Sequence, residues 1–392
     1  TMTLRRVLLT TVALLGPLLI RSLLGPWCEP LRMSAFILMG PVSSAVLAAS
    51  LGTGLASLLG KRTAKWLSII IPVLTYVLTL LRFYDTPAIF FYGHFFGYFP
   101  GVLYDASAQI ESPYGWLRGS GLLVGLALYS LLFARQQFTK AKNMRPQWTL
   151  LITPLVMWSA VIGTELQSPQ LGTATSARHI EETLGRTLRG SQCDIVVPEE
   201  LSLTRAQRLL TECDFQVSEI RTRLGLGNGH RITAFFFRTT TEKRRLMGAS
   251  DTYIAKPWRH EVYLQLERFP HPVLPHELVH AVAAEIGSGP FRISGSWGGL
   301  IPHTTIIEGL AVAVSLEQRD GGTPHDWVRA LRTLGRLPTL EQTLGAGFLS
   351  MNTQVAYLIS GSFIRWLWET RGSAAKTASS SSPTRASAVA TR

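Results

Sequence analysis

His276-Glu277-Leu278-Val279-His280 sets two imidazoles four positions apart, with a carboxylate beside the first. On an α-helix, residues four apart share a face. Both rings can therefore reach one divalent cation, and neutral imidazole is a good Zn²⁺ ligand. Glu277 projects beside them, where it can take a proton from a metal-bound water. A catalytic zinc site uses three protein ligands and keeps one position for water. The candidate third ligand is Glu308, a lone carboxylate in Thr304-Thr305-Ile306-Ile307-Glu308-Gly309-Leu310-Ala311. A carboxylate in so apolar a segment is costly unless it is paired or binds a metal. His303 is the rival ligand and would give an all-histidine site; it stands beside Pro302 at a helix start and could contact substrate instead. His325 reads as a surface residue near a helix cap, and His94 and His271 belong to no pattern.

The elements that must hold these groups are visible as periodic patterns. Val273 and Leu274 precede the motif and Ala281, Val282, Ala283 and Ala284 follow it, which predicts a helix over about 273–286. A second apolar helix spans about 305–318, with small Gly309 and Ala311 allowing it to approach the first closely. A third, about 354–370, carries Tyr357, Phe363 and Trp366 along one stripe. Between them Thr323-Pro324-His325-Asp326 has the form of an N-cap with Pro at the first helical position. Upstream, 178–190 looks helical, Asp194–Val197 reads as a short strand, and Leu203–Leu224 as a long helix capped by Ser202. Ile232–Arg238 is a β-rich strand. Glu261–Leu266 alternates apolar and polar residues, the mark of a half-buried strand that could take an extended peptide by strand addition.

The first 164 residues are different in kind. Apolar runs lie at about 4–24, 34–59, 66–82, 120–135 and 148–164, and a spanning helix needs about 20 mostly apolar residues. The first run reads as an uncleaved helix rather than a signal peptide, since no A-x-A site follows it. Gly121 and Gly125 form a GxxxG step that lets a neighbouring helix pack closely, and the aromatic stretch 90–104 suits a membrane interface. Charges orient the array, because Lys and Arg favour the cytoplasmic side. Arg5 and Arg6, then Lys61, Arg62 and Lys65, then Arg135, Lys140, Lys142 and Arg145 all fall inside, while the acidic loop 83–118 falls outside. Five spans deliver residue 165 to the outer face, the periplasmic side of a bacterial inner membrane.

Charge is unevenly placed. Residues 1–164 hold 13 basic and 4 acidic side chains, whereas residues 165–372 hold 22 and 21. A nucleic-acid binder should carry a basic face on its folded domain, and this near-neutral second half does not support one. No CxxC pair exists among Cys28, Cys193 and Cys213, so a thiolate zinc site is not supported. Cys193 and Cys213 would form a disulfide in an oxidising compartment or remain two buried thiols. Residues 373–392 are an Ala/Ser/Thr-rich tail that cannot build a core.

HPVLPHELVHAV followed by IIEGLAVAV resembles the gluzincin metallopeptidases, the thermolysin-like and aminopeptidase-like clan, over about 190–371. The stretch Ala356–Phe363 also resembles that group's closing helix. The resemblance implies a multi-pass membrane region (1–164) followed by an α+β zincin-like metallopeptidase domain (165–372): a sheet layer with an edge strand above, helices below, zinc between. It implies His276, His280 and Glu308 as ligands, Glu277 as the base, and a peptide or protein substrate. In aminopeptidase-like members a tyrosine after the glutamate ligand stabilises the oxyanion, and Tyr357 is the matching position. The chain departs from the thermolysin pattern at Val312, where an Asp would stand, and lacks a G-A-M-E-N stretch. Two alternatives stand beside this reading. An intramembrane protease would need its motif inside a spanning helix, and here Gly287-Ser288-Gly289-Pro290 follows soon after it. An inactive peptidase-like sensor or scaffold would have no use for an intact Glu277.

Overall fold

The computed structural model describes residues 30–371 except 97, 100–109, 141–148, 316–320 and 345–346, with scattered positions between 9 and 21. The first apolar run and the tail from 372 therefore lie largely or wholly outside the described residues. The chain divides into two compact units, Thr1–Ile180 with Arg244–Ser250, and Glu181–Lys243 with Asp251–Arg392.

In the first unit, α1 (Pro30–Ile37) runs through a π-helical turn, Leu38–Val42, into α2 (Ser43–Leu59). Pro41 sits in that turn, where its missing N–H removes a regular helical bond. Then follow α3 (Lys61–Asp85), the small hairpin β1 (Phe91–Tyr92) and β2 (Tyr98–Phe99), α4 (Ser112–Lys140) and α5 (Thr149–Leu166). Among the described residues, three helices are long and apolar enough to cross a bilayer: Ser34–Leu59, Lys61–Asp85 and Ser112–Phe138. α5 offers a shorter apolar stretch, Leu151–Leu166. Along α3 the side chains of Trp66, Ile69, Ile70, Val73, Leu74 and Leu81 are exposed, bare apolar surface of the kind a bilayer covers. The GxxxG step is used: a Cβ on Gly125 would lie 3.1 Å from Ser50 Oγ of α2, and one on Gly121 would lie 3.2 Å from His94 Nδ1. One turn earlier Arg118 is buried and donates to Tyr114 Oη (2.8 Å), Ser44 Oγ (3.0 Å) and the His94 carbonyl (2.6 Å), so its charge is met inside the bundle.

The second unit begins within α6 (Ala177–Leu184), which leads into β3 (Gly185–Arg189). The expectation of one helix over 178–190 is thus half right. Gly185 adopts φ +97°, which a side-chain-bearing residue resists, and beyond it the chain pairs antiparallel with β4 (Cys193–Pro198). α7 (Leu203–Leu224), with the Ser202 side chain accepting from the Arg205 N–H, leads to β5 (Ile232–Phe237). After α8 (Thr240–Met247), β6 (Ile254–Lys256) and β7 (Glu261–Gln265) complete a sheet of order β3-β4-β5-β7-β6. Its central strands β4, β5 and β7 are parallel, and both edge strands run antiparallel to their neighbours.

Near-continuous apolar strands such as ITAFFF mark a sheet buried on both faces. Ile195, Val197, Ala234, Phe236, Val262 and Leu264 meet Leu209, Val217 and Ile220 of α7 and Leu278 and Val282 of the motif helix in one core. The alternation of Glu261–Leu266 had predicted a half-buried strand open to a peptide. Instead all of β7 is buried, between β5 and β6, because its second face holds Tyr263 stacked on Phe235 rather than solvent. The edges of the sheet are β3 and β6, and of these β6 is the one beside β7. Cys193 of β4 and Cys213 of α7 form a disulfide, Cα–Cα 5.9 Å, and the neighbouring Asp214 carboxylate accepts from the N–H groups of Ser191, Gln192 and Cys193.

The helical layer comprises α9 (Leu274–Ala283), the hairpin β8 (Gly295–Ser296) and β9 (Ile301–Pro302), α10 (Thr304–Ser315), α11 (Pro324–Thr333), the short α12 (Leu340–Leu344) and α13 (Gly347–Ser350), and α14 (Thr353–Arg371). Thr323 and Asp326 form a full capping box on α11 with Pro324 at the helix start. Gly309 does not face α9, as its small size had suggested. A Cβ there would lie 2.7 Å from the Ser360 carbonyl of α14, and one on Gly361 would lie 2.3 Å from Val312 Cγ1. The two glycines let α10 and α14 cross in backbone contact. Gly361→Ala is therefore expected to lower stability by about 1–3 kcal/mol through overpacking, and Val312→Ala in the same chain to recover part of it. Thermal unfolding of the double-mutant cycle checks this; equal losses in both backgrounds would refute the contact.

Candidate metal centre

The two motif histidines leave α9 four residues apart and meet Glu308, which α10 brings in from the facing helix. His276 Nε2 lies 3.2 Å and His280 Nε2 3.4 Å from the same oxygen, Glu308 Oε2, and the two imidazole nitrogens are 3.3 Å apart. The rings stand nearly perpendicular, 79°, with centroids 5.0 Å apart. A His–Glu ion pair needs one imidazole. Here two imidazole nitrogens and one carboxylate oxygen converge on a common point. Their separations are those of tetrahedron corners about 2.0 Å from the centre, the length of a zinc–nitrogen or zinc–oxygen bond. Among the described residues these three form the group able to hold a metal ion.

The environment sharpens the electrostatics. His276 and Glu277 are only 6 % and 7 % exposed. Burial pushes the Glu277 carboxyl up from the ordinary carboxylate range, against the pull of His280 and His276. Burial also pushes Glu308 up, but His280 and His276 outweigh it and hold that carboxylate well below the usual range. Glu308 is thus held as an anion beside the two imidazoles, whereas Glu277 is a carboxylate whose proton affinity is raised. That is the division of labour expected of a ligand and a base.

The other candidates fall in different places. The Tyr357 ring of α14 is stacked over the His276 ring, 8° between planes and 6.0 Å between centroids, with Phe348 6.0 Å from Tyr357 in turn. His303 lies outside the three-residue group: its Nε2 is 2.9 Å from Ser296 Oγ, across the β8–β9 hairpin. Val312 is buried against Gly361 and brings no polar atom to orient the imidazoles. His325, assigned to the surface, is half-buried, with Nδ1 2.7 Å from Ser362 Oγ.

Residues without a sequence signal also belong to this neighbourhood. Lys243 is fully buried and donates to the Thr252 carbonyl (2.7 Å) and Gln265 Oε1 (3.1 Å), and its charge pulls on Glu277. Tyr253 donates to Glu267 at 3.0 Å, and burial and that carboxylate push its phenol up to about 12. His271 lies just ahead of α9, its Nδ1 accepting from the N–H groups of Val273 and Leu274. The one available signal for it was its position two and three residues ahead of the first helical N–H groups.

No known family model matches the chain, and no curated protein matches it significantly. The centre thus stands on its own geometry. Glu308→Ala is expected to weaken binding of Zn²⁺ or Co²⁺ by more than about 100-fold, beyond the loss typical of removing an outer hydrogen-bond partner. Equilibrium dialysis of the purified protein measures this; an unchanged affinity would exclude Glu308 as a ligand and return His303 to contention.

Proposed function

We propose that the chain is a membrane-anchored zinc metallopeptidase of gluzincin type, its second unit a zincin-like domain on the outer, periplasmic face of a bacterial inner membrane. One observation carries the reading: two imidazole nitrogens and one carboxylate oxygen converge at zinc-ligand spacing, with a buried glutamate on the same helical turn.

His276, His280 and Glu308 would hold the ion. When bound, zinc supplies Lewis-acid polarisation of a carbonyl and a water of lowered pKa. The chain's own groups account for the rest. Glu277, with its raised proton affinity, accepts the proton of the attacking water and passes it to the leaving amine. Tyr357, packed against His276, is the group nearest in the sequence pattern to an oxyanion donor. β6 is the edge strand beside α9 and can pair with an extended peptide through its backbone. The three apolar helices and the disulfide fit a domain tethered at a membrane in an oxidising compartment.

Glu277→Gln keeps the shape of the side chain and removes its basicity. It is expected to leave zinc stoichiometry unchanged and to cut hydrolysis of a quenched-fluorescent peptide library by about 10²–10⁴-fold. Retained turnover in the zinc-loaded variant would overturn the assignment.

A further inference from the structure

The helix that carries two ligands and the base has an unusual start. Its N-cap, Val273, has no capping side chain, and Pro275 in the first turn supplies no N–H. The N–H groups of Val273 and Leu274 both point instead at one atom, Nδ1 of His271, at 3.3 and 3.1 Å. The other ring nitrogen, Nε2, lies 2.9 Å from the Gln265 carbonyl at the end of β7. A carbonyl can only accept, so Nε2 carries the hydrogen and Nδ1 the lone pair. The backbone N–H of His271 donates to Glu212 Oε1 of α7 at 2.8 Å. The residue is 2 % exposed, with the rings of Phe236 and Tyr253 edge-on at 5.6 and 6.3 Å. One neutral imidazole thus ties the start of α9 to the end of β7, and its backbone ties both to α7.

We propose that His271 is a positioning residue for the metal centre: as the Nε2–H tautomer it caps α9 and sets how His276, Glu277 and His280 stand against the sheet, and its protonation releases that cap. The proposal rests on reading the centre as a zinc site. Its logic is one of donors and acceptors. A protonated Nδ1 becomes a donor facing two donors, so the cationic ring cannot cap the helix. The first turn of α9 holds His276 and Glu277, so a frayed start moves a ligand and the base together. The titratable groups around the ring are Glu212 on α7, Glu267 beyond β7, Tyr253 ahead of β6 and, through Gln265, Lys243 on α8. Burial holds the ring below the ordinary histidine range, against the opposing pull of the Gln265 carbonyl and Glu267. The cap's contribution is therefore complete above about pH 6.5 and is lost as pH falls through the lower native value.

The test uses the purified full-length protein in detergent, with zinc affinity measured by competition against a chromophoric chelator. His271→Asn places Oδ1 where Nδ1 stands, able to accept from the same two N–H groups but unable to titrate. His271→Ala removes the acceptor. At about pH 8, His271→Ala should bind zinc about tenfold more weakly, and His271→Asn within about threefold of wild type. As pH is lowered from about 8 towards 5, the affinity of wild type should fall further than that of His271→Asn, the gap opening below about pH 6.5 and widening as pH falls. Hydrogen exchange at the Val273 and Leu274 amides of the metal-free proteins reads the cap itself: protection lost in His271→Ala, kept in His271→Asn. An asparagine variant as weak as the alanine one, or an alanine variant with wild-type affinity and protection, overturns the proposal. Wild-type protein that binds no zinc, yet shows the expected exchange pattern, refutes the zinc reading and leaves the cap standing.

Discussion

Two imidazole nitrogens and a carboxylate oxygen held about 3.3 Å apart inside an apolar layer are not a low-energy arrangement by themselves. Buried polar atoms at that spacing need a shared counter-charge or shared protons. The rest of the second unit can be understood as what holds them there. The three side chains come from two helices, so the distance between α9 and α10 decides whether the group exists. α9 is fixed from above by the sheet core around Leu278 and Val282. α10 is fixed from the side by α14, against which Gly309 and Gly361 allow backbone contact. A third helix that only filled space could sit further out. This one also brings Tyr357 over His276, so the crossing that sets the ligand distance also furnishes one wall of the centre.

The sheet contributes in a less obvious way. Its central strands β4, β5 and β7 are buried on both faces, and the end of β7 is joined to the start of α9 through His271. Burial on the second face explains why β7 carries Glu261, Tyr263 and Gln265 without contacting solvent: these side chains pair with Arg259, with one another and with Lys243. The consequence for any bound peptide is topological. A strand flanked on both sides has no free backbone groups, so strand addition is left to the edge strands, of which the short β6 lies beside α9. The disulfide between β4 and α7 lies in the same core, where it limits how far that helix can separate from the sheet.

The first unit carries the apolar surface that a bilayer would cover. Its helices present apolar side chains outward, and close approach between them depends on small residues rather than on apolar burial. Gly121 and Gly125 against α2, and the multiply bonded Arg118 guanidinium, are the two devices visible there. They explain how one charge is accommodated among apolar helices. The basic excess of the whole chain belongs to this unit and to the tail, which is why the net charge says little about the chemistry of the second unit.

The amino-acid order alone carries everything that depends on near neighbours along the chain. The four-residue spacing of His276 and His280, the lone Glu308 in an apolar run, the Ser202 cap and the Thr323 capping box are local patterns, and each lies on the element predicted for it. Three of the five apolar runs lie on bilayer-length helices in the same way, while the run at 148–164 lies on a shorter apolar helix and the first falls largely outside the described residues. What depends on which elements meet could not be read there. The sequence cannot say that Gly309 faces α14 rather than α9, that β7 is interior, that Gly185 turns a helix into a strand, or that His303 pairs with Ser296. His271 makes the point most sharply. Its importance lies in what its two ring nitrogens face, a carbonyl ending a strand and two N–H groups starting a helix. Periodicity specifies which face of an element is buried; the close packing of the elements specifies which atoms that face must meet.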